Sequence, residues 1–562
     1  MTKVTFFLAL LGAAFPLAAL AQSNEDLKND AATTEDVLTY GMGYSQQRYS
    51  PLTQIDRRTV RRLVPAWSYS MGDNLGEEAQ ALVKDGVIYI TDHNKTVAVD
   101  AITGKEVWKS LLEYAPTTTR VVCCGIVNRG GALFDGKLYR TTLDANVIAL
   151  DLKTGKEVWR TKSGDPKDAV VMTGAPLIAN GVVIVGVGGA EYGLRGYLAG
   201  YDAQSGKEVW RTYTIPAPGE PGSETWPSDN DAWKTGGGSS WLTGSYDPEL
   251  DLVFWGIGNP APHNPLGRKG DNLFTDCIIA IKPSTGKMVW YYQATPNDPY
   301  DYDGVSEAVL AEIKIGGAAR KVVIQANRNG FFYVLDRATG KLLAANPYLK
   351  KLTWADGVDM KTGRPVISAE TKATLEQKTL VEIWPSKMGG KNWMPMSFSP
   401  LTGMAYSNTL AIGMKYRPQS IDQFAHYKVG QAYRGVDVEY ISDPDVRGYL
   451  KAIDPASGRT KWELPSKSPN WSSTLVTAGS LVFTGKLTGE FIAVDADSGQ
   501  VLWQFQTPSG IVGQPITWER DGKQYVTVTS GTGGLYVATA GDENLAHVPA
   551  GGTLWTFKLL ED

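Results

Sequence analysis

The chain is poor in the residues that most often hold transition metals. It has three cysteines and four histidines in 562 residues. The histidines, His93, His263, His426 and His547, stand in no paired ligand spacing, which speaks against zinc. No Cys-x-x-Cys-His string occurs, so covalently attached haem is excluded from this chain. Downstream of residue 21 there is no run of about 18 apolar residues, and no membrane span is expected in the mature chain. An excess of one charge is also missing: the net charge is −4, with Lys and Arg scattered, which argues against a nucleic-acid partner.

What is present begins with a leader. Lys3, an apolar run from Val4 to Leu20, and Ala19 and Ala21 before Gln22 read as a secretory signal peptide over residues 1–21, with a retained anchor as the alternative. Residues 22–562 then form the mature protein, expected in the periplasm, where disulfides persist. That bears on Cys123 and Cys124, which are adjacent. Neighbouring Cα atoms are about 3.8 Å apart across a trans peptide, below the usual disulfide span of roughly 4.4–6.8 Å. A bridge between them would close a small, strained, nearly flat ring that staples little of the chain. Two separate thiols, or a bridge from one of the pair to Cys277, remain open.

A repeat sets the architecture. Segments ending at Trp108, Trp159, Trp210, Trp290, Trp462 and Trp503 share one pattern: an apolar strand, a turn opening in most copies with Asp, a Thr/Ser-Gly pair, then a short strand reaching the Trp. Gly suits the left-handed position of such a turn and Asp can bond its backbone. Degenerate copies run from Asp336 to Gly340 with Ala344 in place of Trp, from Asp359 to Val366, and from Pro400 to Tyr406; Trp67 and Trp518 look like halves of a closing unit. The spacing suits four-stranded blades, about eight of them, so the expectation is an all-β, eight-bladed β-propeller as a single domain over residues 22–562. The tryptophans are expected to wedge between blades. Residues 212–232 and 407–447 break the rhythm and read as long excursions over one face.

Three non-repeat segments carry polar chemistry. Asp301 and Asp303 in Asn297–Gly304 point the same way in an extended chain. Glu191 sits in a glycine-rich turn, Val187–Gly193, and Asn259 closes the strand end Gly256–Pro260. Together they are an all-oxygen set suited to a hard cation, with a carboxylate as the general base.

Longer strings carry a family resemblance. Cys123-Cys124-Gly125-Ile126-Val127-Asn128-Arg129-Gly130, Gly189 through Tyr197, Asp231 through Trp241 and Gly258-Asn259-Pro260-Ala261-Pro262 resemble the soluble, type I pyrroloquinoline quinone (PQQ)-dependent alcohol dehydrogenases of the methanol and ethanol dehydrogenase kind, over essentially the whole mature length. The resemblance implies a disulfide between Cys123 and Cys124 on one face of the planar quinone and the indole of Trp241 on the other. It implies Arg129, Thr173 and Ser239 at the quinone carboxylates, Glu78 and Asn392 at polar edges, and Trp393 and Trp471 as floor or wall. Val127, Gly189 and Ala190 belong to the same cofactor-binding strings. Glu191, Asn259 and Asp301 match metal ligands, Asp301 also being the base, and Arg328 matches an arginine bonded to the reactive quinone oxygen.

The calcium branch of that family has a short neutral residue where this chain has Asp303. The extra carboxylate implies a lanthanide ion such as lanthanum, cerium or praseodymium rather than Ca2+, the alternative being a solvated Asp303 beside calcium. Methanol enzymes carry Trp where this chain has Leu535, which leans toward ethanol and other primary alcohols over methanol. The resemblance further implies a separate cytochrome c as electron acceptor and a homodimer. A non-catalytic propeller scaffold and a quinoprotein sugar dehydrogenase are the remaining alternatives.

Overall fold

The computed structural model describes residues 22–561 apart from 73–74, 378 and 421–427; the leader over residues 1–21 and His426 fall outside them. The described chain is nearly all strand, with short helices such as Ala369–Gln377 and Gly534–Thr539. Antiparallel sheets of four strands follow one another along it, within residues 82–111, 132–162, 177–213, 245–293, 309–347 and 397–466. The next, at 475–506, gains a fifth strand because Tyr49–Ser50 pairs in parallel with its first strand. The last sheet joins the two ends of the chain: Leu63–Ser70 lies against Thr553–Leu559, beside Lys523–Ser530 and Ile516–Arg520. The placement of Trp67 and Trp518 in one closing unit is therefore met.

The repeat explains each hairpin and also what holds neighbouring sheets together. In the copy at Asp100, Oδ1 accepts hydrogen bonds from Thr103 N (2.7 Å) and Thr103 Oγ1 (2.8 Å), and Gly104 N donates to Asp100 O at 2.8 Å. Gly104 takes φ 69° and Gly155, at the same place in the next copy, φ 68°. The missing side chain matters as much as the angle. A Cβ on Gly104 would lie 2.6 Å from the ring of Trp67, and one on Gly155 2.4 Å from that of Trp108.

Most of these indoles lie on the turn glycine of the following sheet and donate Nε1–H to a carbonyl there, Trp67 to Ala101 (2.9 Å), Trp108 to Leu152 (3.1 Å), Trp159 to Ala203 (3.0 Å) and Trp210 to Pro283 (2.7 Å), whereas Trp290 packs on Gly340 with no partner for its Nε1–H among the described residues. Trp462 bonds Ala496 O (2.9 Å), and Trp503 reaches Leu63 O (2.9 Å), back to the sheet that unites the termini. Where the repeat has Ala344 instead of Trp, the following turn glycine, Gly458, faces Asn346.

A one-residue bulge aims the indoles. In the outer strand Glu157–Lys162 the register shifts between Glu157 and Trp159, leaving Val158 unpaired and half exposed. The same shift leaves Val107 outside the pairing. Such bulges also blunt an open strand edge.

One expectation needs correcting. Asp359 to Val366 is no blade: it is the turn of a two-stranded hairpin, Ala355–Val358 with Pro365–Ile367. Its Asp and Gly make the same turn, Gly363 N to Asp359 O at 2.7 Å, but the strands are too short to bury a face. Within the excursion expected over 407–447, Ile412–Pro418 and Val436–Ser442 form a three-stranded sheet with Val381–Ile383, outside the four-stranded repeat.

Replacing Gly155 by Ala should force the Trp108 indole off its seat and place a Cβ in the left-handed region, a loss of about 2–4 kcal/mol. Thermal unfolding monitored by tryptophan fluorescence reads the effect; a midpoint equal to that of the unaltered chain would show that this contact does not hold the sheets together.

Candidate active site

One pocket gathers loops from many sheets. Glu78, Cys123, Cys124, Arg129, Thr173, Gly189, Glu191, Ser239, Trp241, Asp301, Asp303, Arg328, Asn392 and Trp393, all singled out from the sequence, line it, and Val171, Gly188 and Leu535 complete the wall. Val127, Ala190, Asn259 and Trp471 stand just outside. Trp471 is fully buried and packs on Tyr536, ring centroids 5.5 Å apart.

Cys123 and Cys124 are joined by a disulfide, with Cα atoms 3.8 Å apart, while Cys277 is a buried free thiol. Cys124 adopts φ 73°, left-handed backbone that a non-glycine residue holds at a cost.

The acid loop is wrapped from within. Asp298 is buried, and its two carboxylate oxygens accept the N–H groups of Tyr300 (2.8 Å) and Tyr302 (2.6 Å). Between those two bonds Asp301 is held at φ 65°. Glu191 sits in a short helical turn, Ala190–Tyr192, entered through Gly189, where a Cβ would strike Ala169 O at 1.8 Å.

Asp303 is only 4% exposed, against the reading of a solvated side chain. Its Oδ1 accepts Asn259 N at 2.9 Å and its Oδ2 lies 3.0 Å from Arg328 Nη1, which also reaches Asp301 Oδ1 at 3.6 Å. Asn259 spends Nδ2 on Pro260 O (3.0 Å), so Oδ1 is what it can offer an ion.

Burial with like charges nearby sets the protonation of the cluster. Glu191 is pushed up to about 7 by desolvation and by Asp301 and Asp303. Desolvation likewise raises Asp303 to about 6 against the pull of Arg328, and Asp301 is raised for the same reason, opposed by Arg328, Lys387 and Arg434.

The sequence reading set His263 aside, yet Glu191, His263 and Asp301 offer ligand atoms within 4.8 Å of one another. Burial, then the charges of Lys387, Arg434, Arg268 and Arg328, hold His263 well below its usual value, which keeps the imidazole neutral. The signal available was its position, one residue past the Gly258–Pro262 string.

At the other end Arg129 forms a buried ion pair with Glu78 (2.8 Å), bonds Thr173 Oγ1 (2.6 Å), and faces the rings of Trp241 and Trp393 at 4.8 and 5.2 Å. Several buried polar atoms around the pocket have no hydrogen-bond partner among the described residues: Arg129 Nε, Asp301 Oδ1, Arg328 Nε, Trp393 Nε1 and Trp471 Nε1. Native proteins pair such groups, so a polar, partly flat ligand fits this cavity.

Comparison with known proteins agrees with this geometry. A family model for PQQ enzymes, described as "Glucose/ethanol/alcohol dehydrogenase, beta-propeller domain", matches residues 38–345 and 447–526. The quinohemoprotein alcohol dehydrogenase ADH IIB of Pseudomonas putida is 42% identical over 95% of this chain and 79% of its own length. The quinoprotein alcohol dehydrogenase PedH of Pseudomonas putida KT2440 is 39% identical over 99% of this chain and 96% of its own. Among solved structures, a europium-containing methanol dehydrogenase superposes with a TM-score of 0.88 at 35% identity, covering 95% of this chain and all of that one. The chain belongs to the PQQ-dependent alcohol dehydrogenase family, an oxidoreductase family built on a β-propeller.

Arg129→Met should strand Glu78 as a buried, unpaired acid and destabilise the protein by about 3–5 kcal/mol. Adding Glu78→Gln should return much of that loss, as read by thermal unfolding of the quinone-free chain. A double variant no more stable than the single one would refute the pairing.

Proposed function

We propose that this chain oxidises primary alcohols, ethanol and its homologues, to aldehydes in the periplasm, and that its electrons leave by a separate cytochrome c. The observation that carries this is the meeting, in one pocket, of the Cys123–Cys124 ring, the Trp241 indole and three carboxylates, two buried and one half-buried. The disulfide and the indole are flat groups able to cover the faces of a planar quinone. Arg129, Thr173 and Ser239 would hold its carboxylates, and Glu78, Asn392 and Arg328 its polar edges. Bound there, the quinone supplies a two-electron acceptor for the carbon-bound hydrogen of the alcohol.

The chain's own residues do the acid–base work. Asp301 Oδ1, which has no hydrogen-bond partner among the described residues, takes the hydroxyl proton. Arg328 holds Asp301 through both its carboxylate and its backbone carbonyl (3.0 Å) and fixes Asp303 beside it. Glu191, Asn259, Asp301 and Asp303 would hold the metal. Three carboxylates so deprived of water suit a trivalent lanthanide better than Ca2+.

The eight sheets of four or five strands are read as the eight blades of a closed ring, because tryptophan contacts pass from sheet to sheet at every junction but that of Gly458 with Asn346 and return to the sheet made from both termini. Among the described residues no helix is long and apolar enough to cross a membrane, and the leader over residues 1–21 is the basis for export. Relatives named for ethanol and 1-butanol oxidation support the substrate class. Leu535 at the pocket wall leaves room beyond methanol.

Metal-free protein reconstituted with PQQ should turn over ethanol with micromolar lanthanum and not with millimolar calcium, and Asp303→Ala should lose at least tenfold of the lanthanum-supported rate. Strong activation by calcium alone would reject the metal assignment, and a clear preference for methanol across a chain-length series would overturn the substrate range. Asp301→Asn should lower kcat by roughly 10²–10⁴-fold; near-normal turnover would remove Asp301 as the base.

A further inference from the structure

One segment, residues 37–50, crosses the first strands of successive sheets, and a charge on it is left without a counter-charge. Val37 and Val83 exchange backbone hydrogen bonds, both 2.9 Å. Further along, Tyr246 N donates to Tyr44 O (3.1 Å), Leu310 N to Ser45 O (3.0 Å), Phe398 N to Gln47 O (2.8 Å) and Val476 N to Arg48 O (3.0 Å). Val83, Tyr246, Leu310, Phe398 and Val476 each lie in the first strand of a different sheet, so those strands converge on this segment. The residues two places ahead of such strands form the next layer, away from the segment. Among them are Gln80 and Glu307, with Gln514 holding the same place before Ile516–Arg520, and all three are buried.

Arg48 has no exposed surface. Its Nη1 donates to Gln80 Oε1 at 2.7 Å, and the guanidinium carbon lies 4.8 Å from the centre of the Tyr40 ring. Its Nε and Nη2 have no hydrogen-bond partner, and Arg48 takes part in no ion pair among the described residues. The acid of this layer is already spent: Glu307 Oε2 lies 2.7 Å from the buried Lys391 Nζ, and Oε1 accepts Met396 N at 2.8 Å. Two buried cations thus share one carboxylate. The excess positive charge falls on Arg48, a group that ordinary pH does not discharge. Burial holds both Arg48 and Lys391 below their ordinary values, as expected of cations short of counter-charge. An unpaired charge is among the costliest groups to bury, and native interiors pair it.

We propose that the free edge of the Arg48 guanidinium binds a monatomic anion, chloride, enclosed when residues 37–50 close over the first strands. Nε and Nη2 share that edge of the planar group, and their N–H bonds run side by side, a fork able to grip one ion. With Arg48 wholly covered, the ion is held by the fold itself, and a halide is the smallest anion the fork can take. A phosphate or sulfate would bring several strong acceptor oxygens to two donors and leave most of them unpaired. The site stands just beneath the pocket, because Gln80 N donates to Arg129 O (3.1 Å) and Gln514 Nε2 to Glu78 O (2.7 Å). It does not depend on the alcohol-oxidising reading.

The test is thermal unfolding of the quinone- and metal-loaded chain at constant ionic strength, with gluconate replacing chloride. An ion bound only by the folded state raises the midpoint with its concentration, and the rise should be at least about 3 °C between about 1 and about 100 mM chloride. Bromide should substitute for chloride, and Arg48→Met should abolish the dependence. Crystals of the unaltered chain grown in bromide should show an anomalous peak against Arg48 Nε and Nη2, a readout that stands whether or not the variant folds. A midpoint indifferent to chloride, a dependence that survives in Arg48→Met, or well-ordered bromide crystals with no peak at Arg48 would each overturn the site.

Discussion

The constraint on which the rest depends is the seating of an indole on a turn glycine of the next sheet. Each contact buries an aromatic of about 150–250 Å2, on the order of 4 kcal/mol before the cost of ordering it, and all but that of Trp290 pair the Nε1–H with a carbonyl. Both partners are specified within one repeat, the glycine for the sheet before and the Trp for the sheet after. Cohesion is thereby placed between sheet faces. The loops that enter the pocket are released from holding the sheets together and can carry residues that a core would reject.

Those loops carry a concentration of buried charge. Asp301 and Asp303 meet Arg328 on one side, close to Glu191, and Glu78 meets Arg129 on the other. Without a bound ion the acids are raised by desolvation and by one another, an arrangement that favours taking up either protons or a cation. The left-handed backbone at Asp301, locked by the two bonds to Asp298, keeps the carboxylate where relaxation would otherwise move it away from its neighbours. Preorganisation of this kind is stored in the fold and does not have to be assembled when a ligand arrives.

Much of this was legible in the residues because the repeat is local. Asp100, Thr103, Gly104 and Trp108 fall within nine positions, and turn chemistry plus one aromatic define the unit. The same locality misled at Asp359 to Val366: the signature specifies a turn, and only the length of the flanking strands decides whether a blade follows. Asp301 and Asp303 were visible as a pair because they lie two residues apart, although the chain there is a loop with Asp301 in left-handed backbone and not the extended segment expected. His263 was not, since it lies far along the chain from Glu191 and Asp301 and joins them only in the fold. The segment 407–447 read as a break in the repeat because its strands, Ile412–Pro418 and Val436–Ser442, pair with Val381–Ile383 and carry no Gly–Trp signature.

The division between the repeat and the three-stranded sheet outside it has a consequence for how chemistry and selectivity are separated. The groups proposed to touch the quinone and the metal sit on turns between blade strands or beside them, Glu191 after one strand, Asn259 after another, Arg328 in the turn before Phe331–Asp336. These positions are fixed by ladders of hydrogen bonds that cannot shift without breaking a sheet. The three-stranded sheet that carries Tyr440 is instead tied to the Glu191 turn through a few backbone bonds from the segment before it, such as Tyr433 N to Glu191 O and Gly430 N to Tyr192 O. Substitution there leaves the acid loop and its Asp298 anchor in place. On the proposed function, the chemistry then sits on the sheet turns, and this sheet is the part free to change with the substrate.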